Sequence, residues 1–397
     1  MATIRANANP ELLAWARKSL GMSVAEAAQK IGGRDYNQEH IEEWENGTAQ
    51  PTVKQLRKIA KVYKRPLATF FLSEFPTDFT IPRDFRRLPG DGLYELSSTL
   101  RTQLKRTEER RELALELYEE LGEQAPEFPL QATLDDDPEE LGGRIREALG
   151  VTLVEQVGWR DRQRYKPLNQ WRSRMEELGV LVFQFADVET SEALGFSVAA
   201  ETAPVIAINR KLRLNGRIFT MMHEFVHLAL RQSGLCDIDE NLARRPEEQR
   251  VEIFCNKVAA ATLVPAANLL AEPVVAARPA EAQTWDDDAI ELLADKYSVS
   301  REVIVRKLLT LNRTTEDFYR GKRQEYKRQL EDAIRQARGK PGFESPAVKV
   351  VSIDGQGFVK LVLECYHHGN ITLSDASSYL GVRIKHLPTI EQRLLAV

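Results

Sequence analysis

GRIFTMMHEFVHLALRQ, residues 216–232, is the stretch whose reading decides the fold of the middle of this chain. Met221, Met222, Phe225, Val226, Leu228 and Leu230 surround a 3.6-residue spiral, which predicts a helix buried nearly all round. Inside it lies HEFVH, residues 223–227. On a helix His223 and His227 share one face, so both imidazoles reach one metal ion, and Glu224 beside the first of them is placed to act on the water such an ion activates. Zinc suits this set. It accepts neutral imidazole and carboxylate, and a catalytic site uses three protein ligands with the fourth position left for water. The alternative is a core cluster whose polar groups merely satisfy one another. The cost of burying an unpartnered glutamate in so apolar a helix weighs against it.

A third ligand is expected from a second helix. In VEIFCNKVAAATLVP, residues 251–265, Glu252 and Asn256 again stand one helical turn apart, followed by the apolar positions Val258, Ala259, Leu263 and Val264. Glu252 completes a His-His-Glu set, and Asn256 is placed to fix one histidine through its second ring nitrogen. Glu252 reads alternatively as a solvated carboxylate near a helix start, and Glu240, Glu247 and Glu248 are rivals for its place.

HEFVHLAL, the upstream pattern GFSVAAETAPVIAINR and E-x-x-C-N before an apolar run resemble the ImmA/IrrE family of metallopeptidases. The resemblance is good over roughly residues 140–270 and looser elsewhere. It implies a zincin-like core, and a zinc endopeptidase that cuts a helix-turn-helix repressor to release stress or mobile-element genes. Carried over residue by residue, it makes His223, His227 and Glu252 the ligands of Zn²⁺ and Glu224 the general base and acid. The family usually has Ala where Cys255 stands; three residues from Glu252, Cys255 reads either as a buried, inert thiol or as a side chain pointing near the metal. PVIAIN, residues 204–209, is expected either as an edge strand that a peptide substrate joins or as an ordinary buried strand.

At 397 residues, 43% hydrophobic and 29% charged, the chain is long enough for two to four domains. Three cysteines, far apart in sequence, make no disulfide framework, and no apolar run has membrane-spanning length, so a cytoplasmic protein without a membrane partner is expected. A formal charge of -4 argues against a globally basic nucleic-acid binder and leaves room for one basic face.

Residues 1–75 read as a helical bundle, with apolar positions at helical spacing in ELLAWARKSL, SVAEAAQKI, NQEHIEEWE and TVKQLRKIAKVY, and a capping box at Ser23 and Glu26. The succession, down to WENGTAQPT, resembles the helix-turn-helix domain of phage-type (Xre) repressors, which implies DNA as a partner. The third helix departs from that pattern. It carries Glu39, Glu42, Glu43 and Glu45 and no basic residue, so phosphates would repel it. Lys30, Arg34, Lys54 and Lys58 remain as candidate DNA contacts around it. A structural or protein-contact role for this bundle is the competing reading.

Residues 76–139 are expected to hold a Pro- and Gly-punctuated connector and one long helix over 93–122, with an acidic stretch, 135–140, capping the next helix. The peptidase domain follows over 140–275. It is expected to be α+β and mostly helical, with a strand at VLVFQF (180–185) and a strand pair within 195–209 beside the two metal-binding helices. A helical extension is expected over 285–340, and within it the hairpin LADKYSVSREVIVRKLL is expected to pack over the active-site helices. A small C-terminal domain over 345–397 is expected to hold a short strand at VKVVSI and a capped helical hairpin at ITLSDASSYLGV.

Two functional classes follow. One is a cytoplasmic zinc endopeptidase acting on a regulatory protein. The other is a non-catalytic antitoxin or transcriptional regulator, because relatives with this fused layout look like antitoxins encoded beside small toxins, including PIN-like ribonucleases. An intact HEFVH favours the first, since a binding scaffold has no need of Glu224. Either class is compatible with an oligomer.

Overall fold

A computed structural model describes residues 5–32, 36–63, 65, 67–72, 96–159, 164–236, 246–279, 283–336 and 344–395. By its internal contacts the chain divides into two units, residues 1–108 and 109–397. The connector expected at 76–92 lies outside the described residues, as does Arg34.

The first unit contains helices α1 (Pro10–Ser19), α2 (Val24–Ile31), α3 (Gln38–Glu45) and α4 (Val53–Val62), a 3-10 turn at Leu67–Phe71 and the first half of α5 (Ser98–Glu120). The starts of these helices are written in the sequence. Asn9, Ser23, Asn37 and Thr52 each accept a backbone N–H of the first turn, and the capping box at Ser23 and Glu26 is closed from both sides. Leu12, Leu13, Ala16, Ile41, Trp44, Leu56, Ile59, Tyr63 and Phe70 make its core. Arg17 ties the bundle internally, holding Glu45 through two 2.7 Å bonds and donating to the Met22 carbonyl.

The second unit is α+β and mostly helical. Its helices are α6 (Pro138–Ala148), α7 (Leu153–Gly158), α8 (Lys166–Glu177), α9 (Leu214–Ala229), α10 (Pro246–Leu263), α11 (Ala266–Leu270), α12 (Pro273–Ala276), α13 (Asp287–Tyr297), α14 (Arg301–Thr310), α15 (Glu316–Gln336), α16 (Pro346–Asp354), α17 (Gln356–His367), α18 (Leu373–Tyr379) and α19 (Leu387–Leu395). Four strands, β1 (Leu181–Phe185), β2 (Gly195–Val198), β3 (Val205–Asn209) and β4 (Gly234–Cys236), form one sheet in the order β1-β3-β2-β4. β1 and β3 are parallel with Leu181 beside Val205, whereas β2 runs antiparallel to both β3 and β4.

β3 is therefore enclosed between β1 and β2, and all five of its residues are buried. Of the two readings of PVIAIN, the edge strand is ruled out, because the parallel crossover from β1 fills one side and the β2 hairpin fills the other. The run VKVVSI is also not a strand. It belongs to α16, where Ser345 caps the first turn, Pro346 occupies the first helical position, and the buried residues Ala347, Val350 and Asp354 recur at helical spacing. Capping and packing override the β propensity of its valines.

α9 lies on the sheet, and α10 packs against α9 and α6. Its surroundings are apolar on every side: Ile218, Met221, Met222, Phe225, Val226 and Leu228 share one core with Trp171, Ile206, Val258, Leu293 and Ile304. That core also takes in α13 and α14, whose connecting turn accepts a bond from Asn215 at the start of α9 through the Val299 carbonyl, 2.7 Å. The end of α10 is held by buried polar groups. Arg146 donates to the Thr262 carbonyl and Gln156 to the Leu263 carbonyl, satisfying acceptors that a helix leaves open. Asp137 caps α6 and Thr372 caps α18 in a box with Asp375.

Candidate metal centre

His223, Glu224 and His227 sit in the buried middle of α9, at 1%, 0% and 3% exposure. Glu252, in the second turn of α10, is only partly buried and reaches across. Its two oxygens lie 3.3 Å from His223 Nε2 and 3.4 Å from His227 Nε2. The two Nε2 atoms face one another at 3.1 Å. Ligand atoms of the three residues all fall within 4.8 Å, and this is the one such cluster among the described residues. Glu247 and Glu248 lie near the exposed start of α10, away from it, and Glu240 is outside the described residues.

The geometry can be compared with that of a metal. Around a tetrahedral zinc with ligands at about 2.0–2.1 Å, neighbouring ligand atoms stand about 3.3 Å apart. The observed separations of 3.1, 3.3 and 3.4 Å are each close to that spacing, with a different Glu252 oxygen facing each histidine. The outer side of His223 is fixed as well, with Nδ1 at 3.0 Å from Asn256 Oδ1. Because that amide oxygen can only accept, it selects the tautomer in which Nδ1 carries the proton and Nε2 keeps its lone pair for the cluster.

The electrostatics of the cluster follow from burial and proximity. Burial favours a neutral Glu252, but the hydrogen bonds and charges of His223 and His227 outweigh it and hold this carboxylate well below its ordinary range. Burial likewise favours a neutral His227, and the Cys255 thiol and Glu252 carboxylate more than reverse that, placing the ring well above the ordinary imidazole value. Glu224 is pushed up by burial, with the two histidines only partly compensating.

β2 backs Glu224. Alternate residues of a strand share a face, and Gly195 and Ser197 turn toward α9 while Phe196 stacks on Phe185 on the other side. A Cβ at Gly195 would come 2.7 Å from Thr220 Cγ2 and 3.0 Å from the Ala207 carbonyl, so the helix approaches this closely only over a glycine. The Ser197 hydroxyl interacts favourably with the Glu224 charge, yet neither carboxylate oxygen nor that hydroxyl completes a hydrogen bond by geometry. Glu224 is thus a fully buried carboxylate with no firm partner. Gly195 and Ser197 were not singled out from the sequence, and the period-two pattern of GFSV is the only signal that could have pointed to them.

Residues 175–309 match the family model described as the IrrE N-terminal-like domain, Peptidase_M78, and residues 13–70 match a helix-turn-helix model. The second unit carries an IrrE/ImmA-like peptidase domain. The first carries an Xre-type helix-turn-helix domain. Among curated proteins, none matches the chain. The IrrE-like match spans β1 to α14, so it includes the whole His223, His227 and Glu252 cluster, the strand behind Glu224 and the α13–α14 hairpin.

The helix-turn-helix domain places its candidate DNA contacts less favourably. Glu39 and Glu42 of α3 face solvent, Glu43 is half-buried and Glu45 is taken by Arg17. Lys30 Nζ is 2.8 Å from Ser98 Oγ; Lys58 Nζ donates to the Gly32 carbonyl at 3.1 Å and lies 4.5 Å from the centre of the Tyr36 ring. Lys54 is exposed on α4. No helix among the described residues is long and apolar enough to cross a membrane.

Proposed function

We propose that this protein is a cytoplasmic zinc-dependent endopeptidase that cuts a regulatory protein, such as a helix-turn-helix repressor, in stress, mobile-element or toxin–antitoxin control. The observation that carries the reading is the convergence of His223, His227 and Glu252, whose ligand atoms all lie within 4.8 Å of one another, beside a fully buried Glu224 that completes no hydrogen bond by geometry.

In this reading His223 Nε2, His227 Nε2 and the Glu252 carboxylate hold the ion. Zinc there supplies Lewis acidity, which polarises a peptide carbonyl and makes water a better acid. Asn256 holds His223 in the ligating tautomer. Glu224, raised by burial, is a competent base and, once protonated, a competent acid: it takes a proton from the attacking water and delivers it to the leaving amine. With β3 enclosed, a peptide joining the sheet would add at β4 rather than at β1, against which α16 packs. The domain boundaries read from sequence give the division of labour. Residues 140–275 do the chemistry, 285–340 and 345–397 support it, and 1–75 bring the enzyme to DNA or to its substrate.

The acidic α3, with Lys30 and Lys58 engaged inside the first unit, favours a protein partner over direct base reading by that helix. This is the observation behind the second reading, a regulator that binds a toxin such as a PIN-like ribonuclease and DNA without cutting. Mapping of new protein N-termini in cells expressing wild type or Glu224→Gln separates the two. Cleavages present with wild type and absent with the variant are expected; identical N-termini in both would leave the regulator reading.

A further inference from the structure

Cationic side chains gather where α8, β1 and α9 meet, on a chain whose formal charge is -4. α8 turns back at Gly179 into β1 and packs on it. Helix and strand both run about 17–18 Å, so Arg164, Tyr165 and Lys166 at the start of α8 come to lie toward the end of β1. The same end is reached from β3 and α9. The Arg210 N–H donates to the Phe185 carbonyl at 2.8 Å, and Arg217 Nη1 donates to Gln184 Oε1 at 3.2 Å. Lys211 and Arg213 lie between those two arginines, in the turn from β3 into α9. The electrostatics agree with this placement: burial lowers the Arg217 pKa, and the charges of Arg210 and Arg164 lower it further, against Tyr165 and Glu344.

Carboxylates take up part of this charge. Glu344 holds Arg210 through both oxygens at 3.0 Å, and Glu189 holds Lys211 at 2.6 Å. Arg217 meets neutral oxygens instead, those of Gln184 and of the Leu212 carbonyl at 2.9 Å. Among the described residues no carboxylate pairs with Arg164, Arg213 or Arg217, and the first two are exposed. Neither α8 nor α9 has a side-chain cap, so the positive ends of both helices add to the same field. We propose that this face of the second unit binds the phosphate backbone of a nucleic acid, with Arg164 and Arg213 as phosphate contacts and the Tyr165 ring, 51% exposed, placed to stack on a base. Planar guanidinium forks match phosphate oxygens in pairs, and an aromatic ring among them suits a nucleic acid better than an acidic peptide. The helix-turn-helix match points to DNA as a partner, yet α3 presents carboxylates; the α8–α9 face supplies the basic surface that α3 lacks. This inference goes beyond the metal-centre reading and does not depend on it.

Binding of the full chain to a short fluorescein-labelled DNA duplex of arbitrary sequence is followed by anisotropy between about 50 and 200 mM salt. The Arg164→Gln, Arg213→Gln double variant removes two exposed charges, and Lys54→Gln removes one from the exposed side of α4 in the helix-turn-helix domain. The expected result for the double variant is an affinity at least about tenfold weaker at the lowest salt and a log–log salt slope smaller by about 2, one unit for each lost phosphate contact, with the melting temperature unchanged. If the double variant melts lower than wild type, Arg164→Gln alone decides, with a slope smaller by about 1 supporting the inference and an unchanged slope overturning it. A wild type that fails to bind the duplex at the lowest salt overturns the inference, as does a double variant that binds like wild type. A loss in Lys54→Gln with none in the double variant also overturns it, because the contact would then belong to the first unit. Poly-glutamate that displaces the duplex as well as unlabelled duplex does, at equal charge, would assign the face to an acidic protein segment instead.

Discussion

Of the buried polar clusters in the second unit, the one around Arg172 and the one around His223 differ in what is left over. Arg172 is spent. Its Nε holds Glu176 at 3.0 Å, its Nη1 donates to the Ser352 carbonyl at 2.7 Å, and its Nη2 donates to the Val182 carbonyl. The other oxygen of Glu176 accepts the Gly357 N–H at 3.0 Å. The end of α16 is thereby tied to α8 and β1, over Gly355, whose φ of +83° and lack of a Cβ leave room for both charges. Around His223 the accounts do not close: both Glu224 oxygens and His227 Nδ1 lack a firm partner. Natural cores satisfy their polar groups unless something else needs them, so a satisfied cluster marks architecture and an unsatisfied one marks chemistry.

The sharpest break in this comparison comes from removing one carboxylate or its counterpart. Glu224→Gln should lower peptide cleavage by about 10²–10⁴-fold, as for loss of a general acid–base group, while zinc content is unchanged and stability holds or rises slightly, since a buried charge has been discarded. A cleavage assay and urea denaturation on the same preparation check both halves. Arg172→Met should do the opposite, leaving Glu176 buried and unpaired at a cost of about 3–5 kcal/mol in unfolding free energy, with zinc still bound to the folded fraction. Equal destabilisation by the two variants would erase the distinction.

A smaller effect is expected at Asn256. Asn256→Ala should weaken zinc binding by about 10–100-fold through loss of the His223 orientation, read by chelator competition.

The gentlest test is pH. In the metal-free protein the raised His227 contributes stability that is fully present below the ordinary imidazole pKa and is lost as pH rises through its folded value. Zinc must displace that proton, so the linkage reverses for the metal. Affinity should rise by about tenfold per unit of increasing pH while His227 is protonated in the free protein, and level off above that range. The Arg172 cluster has no group that titrates as imidazole does, so an Arg172→Met protein should keep the same zinc–pH slope. A flat zinc affinity between pH 5 and pH 8 would contradict the assignment of His227.

What the sequence made legible was local. Helix caps at Ser23, Thr52, Asp137 and Thr372, the buried character of α9, and the shared face of His223 and His227 all follow from spacing within one segment. That Glu252 and Asn256 share a face was legible from their spacing, but the choice of Glu252 over Glu240, Glu247 and Glu248 was not, because it depends on how α10 packs on α9. The rest depends on distant partners. β3 is interior because of a crossover from β1 and pairing with β2, neither of which its own residues encode. The valines of α16 read as strand because the Arg172 carboxylate and carbonyl network that holds this helix lies some 180 residues earlier, as the Arg172–Ser352 separation shows.

The most direct measurement of the metal-centre account is zinc per chain by elemental analysis, on wild type and on the His223→Ala, His227→Ala double variant after supplementation and removal of free metal. The account predicts about one zinc per wild-type chain and none in the variant. A metal-supplemented wild type without zinc, or a variant that retains it, would contradict the account and leave the His223 cluster as a core of polar side chains that satisfy one another.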